Sequence, residues 1–168
     1  MKTTKIFSIL ILIAVLLTAC GPVTPDSTTW FGMQVSATKW KTEELDNTHF
    51  RHALLTSRAL TGCRVTIMSM DPVNAGGYSA DWQNSFQEQL MTNNLQLILW
   101  KVKDKDGNVF TTFFDVYDIT GQSGYDLYRL GYFVVEPGDK PVECLDAVYA
   151  LLMTLQPSLF PKIGTAQG

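Results

Sequence analysis

Residues Leu95 to Ile119 read LQLILWKVKDKDGNVFTTFFDVYDI, two apolar runs separated by a polar turn. Leu95 to Lys103 is apolar on both faces until its lysines, the pattern of a strand buried on two sides. Within DKDGN, Asp106-Gly107 is a hairpin signal, because glycine reaches positive φ without steric cost. Val109 to Ile119 then alternates, with Phe110, Thr112, Phe114 and Val116 on one face and Thr111, Phe113, Asp115 and Tyr117 on the other. A polar loop, Thr120 to Asp126, leads to LYRLGYFVV, Leu127 to Val135, and three strands with short connections predict an antiparallel meander.

Upstream, Phe31, Met33, Val35 and Ala37 alternate with polar or small residues and predict a half-buried strand bracketed by Trp30 and Trp40. Phe50, Ala53, Leu54 and Ser57 share one face of a helix expected over Asp46 to Leu60, with Gly62 able to end it in the left-handed region. Cys63 to Met70 predicts a central strand, stopped by Asp71-Pro72 and followed by a loop through Gly76-Gly77. Ser79 is placed to cap a helix running to Asn93, with Trp82, Phe86 and Leu90 as its stripe. Downstream, EPGDKP is a turn and Val142 to Gln156 a helix with Val142, Leu145, Tyr149, Leu152 and Leu155 on its apolar face, stopped by Pro157. The order β-α-β-α-β-β-β-α predicts a single α+β domain over residues 30 to 168, helices packed on a mainly antiparallel sheet. The tail holds Leu159, Phe160 and Ile163, which either pack on the core or form an exposed hook.

The first residues are an address. Lys2 and Lys5 precede an apolar run, Ile6 to Ala19, too short to span a bilayer, which needs about 20 residues. A charged start, a short apolar core and small residues before a cut site describe a secretory signal over residues 1 to 19. Leu17-Thr18-Ala19-Cys20 resembles the lipobox of bacterial lipoproteins. That resemblance implies cleavage before Cys20, a diacylglyceryl thioether on Cys20 and usually acylation of its new amino group, an anchor of two or three chains. Gly21 is not the Asp that resembles an inner-membrane retention signal, so in a Gram-negative envelope the expected address is the outer membrane, with the domain facing the periplasm. Residues 20 to 29 then form the anchor and an extended linker, GPVTPDSTT.

With Cys20 lipidated, Cys63 and Cys144 remain, in a compartment where disulfides form. They are either a bridge stapling one end of the domain to the other or two buried thiols. The net charge is −3, and more negative once Lys2 and Lys5 leave, which argues against nucleic acid as a ligand. Charged residues are 17% and hydrophobic ones 46%, which excludes a largely disordered chain.

Motifs for chemistry are sparse. His49 and His52 are the only histidines and lack companions at metal-ligand spacing, so no metal site is expected. Asp104, Asp106 and Asn108 are reminiscent of a calcium loop, but Gly107 falls at the fourth place and no glutamate closes the loop at the twelfth; a hairpin explains them better. Gly121-Gln122-Ser123-Gly124 departs from G-x-S-x-G, and Gly76-Gly77 lacks a phosphate-cradle pattern. No cofactor and no catalytic residue are assigned, although Asp115, Asp118 and Asp126 cluster in sequence as paired carboxylates could. Trp100, Phe113, Tyr117, Tyr125, Tyr128 and Tyr132 crowd the meander. One face of that sheet needs helices; the other is covered by a second layer or exposed to a protein partner or glycan. The expectation is a noncatalytic, tethered interaction or assembly module, a subunit of a secretion or other envelope machine held to the membrane through Cys20. The alternatives are a small periplasmic enzyme acting on glycan or peptide, and a soluble-ligand binder or inhibitor using the Gly76-Gly77 and Thr120–Asp126 loops.

Overall fold

The computed structural model describes residues 26–45, 50–75, 83–92, 94–120 and 128–163. Ser27–Trp30 (β1) and Met33–Ser36 (β2) pair as an antiparallel hairpin. Trp40–Glu44 (β3), Arg51–Ser57 (β4) and Cys63–Met68 (β5) follow, then a single turn of helix, Pro72–Ala75 (α1). Gln83–Met91 (β6), Leu95–Lys103 (β7), Val109–Asp118 (β8) and Tyr128–Pro137 (β9) precede the long helix Pro141–Leu152 (α2) and a 3-10 turn at Pro157–Leu159. Seven strands form one sheet in the order β3-β4-β5-β9-β8-β7-β6, every neighbouring pair antiparallel.

The mainly antiparallel sheet and the β7-β8-β9 meander match the expected pattern, as do β5 and the hairpin at DKDGN. In that hairpin the Asp104 carboxylate accepts from the Asp106 and Asn108 backbone amides at 2.9 Å each, and Gly107 sits at φ +84°. The element order does not match. The predicted helix over 46–60 is replaced by β4, whose Ala53 and Leu55 point into the core, while residues 46–49 lie outside the described residues. Ala, Leu and Leu are good helix formers, but tertiary pairing on both sides overrides propensity. Gly62 does take positive φ, in the β4–β5 turn rather than at a helix end. The helix expected from Ser79 to Asn93 is likewise the edge strand β6, part of whose predicted span, residues 79–82 and 93, lies outside the described residues. Phe86 and Leu90, four apart, mimic a helical stripe in the sequence; in the strand Gln87 bulges out of register and puts them on opposite faces of the sheet.

The first strand also differs. Phe31 (φ 47°) and Gly32 (φ 72°) make a two-residue turn, so β1 begins at Ser27, inside the segment expected to be linker. Gln156 donates its backbone amide to Gly32 O at 2.9 Å, and Gln34 donates to Thr154 Oγ1 at 2.9 Å, fastening this hairpin to the end of α2.

One face of the large sheet carries the main core. Val65, Ile67, Phe133, Phe114, Val116 and Leu97 are fully or almost fully buried beneath α2 and β2. The helix buries Cys144, Val148, Leu151 and Leu152, a stripe rotated from the expected one and leaving Val142 exposed. Cys63 and Cys144 are joined, which ties α2 to β5 and fixes that rotation. The tail packs on the core through Phe160, whose ring meets Phe31 edge-on at 5.9 Å.

Candidate functional site

The sheet face away from α2 is built by alternation. On β8, Phe113, Asp115 and Tyr117 point to it because Phe114 and Val116 point to the core. Cross-strand pairing sets Trp100 and Val134 beside Phe113, Ile98 and Tyr132 beside Asp115, and Gln96 and Arg129 beside Tyr117. A register shift in β9 puts Leu130 in the main core and turns Arg129 to this face.

These residues divide by burial. Phe113 and Tyr132 are buried, their rings edge-on at 5.7 Å, in a small second cluster with Met68 and Val102, flanked by Phe50 and by Val73 of α1. Trp100, Ile98, Val134 and Tyr117 are half-buried, and Phe86 is exposed with its ring edge-on to Trp100 at 5.9 Å. The expected aromatic surface is therefore only partly available. Trp100 and Tyr117 stand on it, Phe113 and Tyr132 lie beneath it, Tyr128 is half exposed near the tail on the α2 side, and Tyr125 lies outside the described residues.

In the middle of this face sits an ionic cluster. The Asp115 carboxylate accepts from Tyr117 OH at 2.6 Å and from Arg129 Nε at 3.0 Å, and Arg129 Nη2 donates to Tyr117 OH at 2.7 Å. The guanidinium lies 5.1 Å from the Tyr117 ring centre and 4.9 Å from that of Tyr132. Asp115 is 6% exposed, the one buried charged residue among those described. Burial pushes its carboxyl above the ordinary carboxylate range; the bonds from Tyr117 and Arg129 pull it down and the Asp71 charge pushes it further up. Burial also raises Tyr117, helped by its bond to Asp115. Burial opposes the Arg129 charge, but Tyr117 and Asp115 outweigh it and Arg129 is held in its charged form. The cluster is thus a fixed cation framed by the Tyr117 and Tyr132 rings. Arg129, and Ile98 and Phe86 elsewhere on this face, are residues that sequence reading missed, because only the strand registers place them there.

The paired-carboxylate expectation is not met for Asp115 and Asp118. They lie three apart on a stretch of β8 paired regularly with β7 and point to opposite faces. Asp118 instead lines a groove at the end of the sheet, about 520 Å³, with Asn94, Thr120, Gln156, Pro157 and Ser158. A neighbouring depression of about 190 Å³ runs on along Tyr128, Leu130 and the tail. Asp126, Ser123, Gly76-Gly77, His49 and Cys20, the residue expected to carry the lipid, lie outside the described residues. His52 is on β4 and not on a helix, and no set of three metal-ligating side chains converges among the described residues. No helix among them is long and apolar enough to cross a membrane.

No protein-family model, curated protein or solved structure matches the chain.

Proposed function

We propose that the chain is an envelope lipoprotein, anchored in the outer membrane through Cys20, whose domain docks without catalysis onto another envelope protein. The supporting observation is the partly open sheet face, which half-buried Trp100, Ile98 and Tyr117 and exposed Phe86 share with a charged Arg129 held by Asp115 and Tyr117. Aromatic and arginine side chains in one desolvated patch carry most of the energy of protein interfaces. Arg129 is pre-ordered by Asp115 and Tyr117, so docking costs little side-chain entropy.

The test is cross-linking in the native envelope followed by detergent-solubilised recovery of the full chain. A neighbouring envelope protein captured by wild type and lost with Trp100→Ala or Phe86→Ala supports the reading. Recovery without any other protein, or capture that ignores both substitutions, overturns it.

A second reading rests on the Asp118 groove, whose amides, hydroxyls and carboxylate suit a small polar ligand such as a glycan fragment. Thermal-shift titration with cell-wall saccharides, repeated with Asp118→Asn, decides it: a shift in wild type that the variant loses is required.

A further inference from the structure

The sheet has two edges, and they are built differently. At β3 the exposed side chains of Lys41, Glu43 and Glu44 put three charges on a short strand, the pattern that keeps an edge from pairing with another chain. At β6 the only charge is Glu88, and its carboxylate accepts from Tyr149 OH at 3.0 Å, on the α2 side. Among the described residues no strand pairs with β6 beyond β7.

The backbone of β6 is open over half its length. The Gln87 amide folds back and donates to Ser85 O and Phe86 O at 3.0 Å each, so the first half is occupied by its own side chain. Past the bulge the ladder is regular. Thr92 donates to Leu95 O at 2.8 Å, which makes Thr92 and Leu95 a hydrogen-bonded pair, so alternation makes Leu90 and Leu97 another. Gln89 and Met91 are then the residues whose N–H and C=O point away from β7. Their side chains share the face of Ile98 and Trp100, and Met91 is 60% exposed.

We infer that β6 is the pairing edge for a second copy of this chain, antiparallel about a two-fold axis at Leu90. That axis sets Gln89 against Met91 of the second copy, so each open pair exchanges both backbone bonds. An axis at Gln89 would meet the blocked Gln87. Self-pairing of this kind is isologous and must tolerate its own charges. With its axis at Leu90, Glu88 faces Thr92 of the second copy and no like charges meet.

The full chain in detergent micelles tests this with Leu90→Cys, which puts the new thiols opposite each other, and Thr42→Cys on the β3 edge as control. Leu90→Cys is expected to form a covalent dimer and Thr42→Cys to remain monomeric. Because Leu90 also touches the core, a mixture of Gln89→Cys and Met91→Cys chains, joined by a short bismaleimide, repeats the test without it. In sedimentation the wild type is expected at dimer mass, and Gln89→Lys with Met91→Lys, which sets like charges across the axis, at monomer mass with an unchanged circular dichroism melt. A monomeric wild type, equal cross-linking at positions 90 and 42, or a dimer that survives the paired lysines overturns the inference. None of these outcomes depends on the docking of Trp100 or Phe86 to another protein.

Discussion

Asp115 brings chemistry into an otherwise apolar part of the sheet, and its partners decide what it is worth. Folding raises its pKa, so the folded chain holds that proton more readily than the unfolded one. The sign follows: stability from this group grows as pH falls through the folded value toward the ordinary 3.8, and is lost as pH rises through it. Asp115→Asn removes the titration while keeping the shape. Denaturant unfolding from about pH 7 to about pH 4 is expected to show wild type gaining on this variant as pH falls; the opposite trend would refute a raised pKa. Asp115→Ala leaves Tyr117 OH and Arg129 without their acceptor and should cost toward the lower end of about 1–3 kcal/mol, since Arg129 is 45% exposed and water replaces part of the loss. None of this was legible from sequence, where Asp115 stood as one acid among three. Its meaning came from Arg129, fourteen residues away and brought opposite by the β8–β9 register.

Among the elements, two turns at one end of the sheet meet so closely that only glycine fits. A Cβ on Gly138 would lie 2.2 Å from Thr61 O and 2.8 Å from Cys63 N, at φ +63°. Gly107, in the DKDGN hairpin, has φ +84° but nothing within 4 Å of a Cβ. Gly107→Ala should therefore cost about 1–2 kcal/mol in backbone strain alone, whereas Gly138→Ala should cost more, by a margin that equilibrium unfolding resolves. Equal losses would mean that the contact relaxes freely. The hairpin glycine was legible because a two-residue turn is local chemistry. Gly138 was legible only as a turn residue, since its neighbour Thr61 is distant in the sequence. Around β4 and within β6, local signals misled: Phe50 and Leu54, and Phe86 and Leu90, are apolar pairs four apart, and β-strand pairing with β5 and β7 chose the other period.

At the scale of the molecule, the Cys63–Cys144 bridge spans 81 residues and joins the sheet to its covering helix. In the chain-entropy model a loop of that length is worth roughly 4 kcal/mol. Reduction, or replacement of both cysteines by alanine, is expected to lower the denaturant midpoint by an amount consistent with that figure, measured against the oxidised chain. An unchanged midpoint would place the stabilisation elsewhere. The proposed anchor belongs to the same scale. Cys20→Ala is expected to release the folded domain from membranes in a flotation assay; continued membrane association would mean that Cys20 is not the anchor.

The sequence by itself determined the meander, the DKDGN turn, the last helix and the presence of two cysteines able to pair, because each rests on alternation, turn chemistry or helical spacing within a few residues. Whether Cys63 and Cys144 met, which stripe α2 buried, and whether Ala53-Leu54-Leu55 and Phe86 to Leu90 coiled or extended were decided by tertiary structure. The reason is one of range. A strand satisfies its backbone through a neighbour that can lie anywhere in the chain, so the side chains that β pairing gathers, here Trp100, Tyr117 and Arg129, share one face only after the register is set.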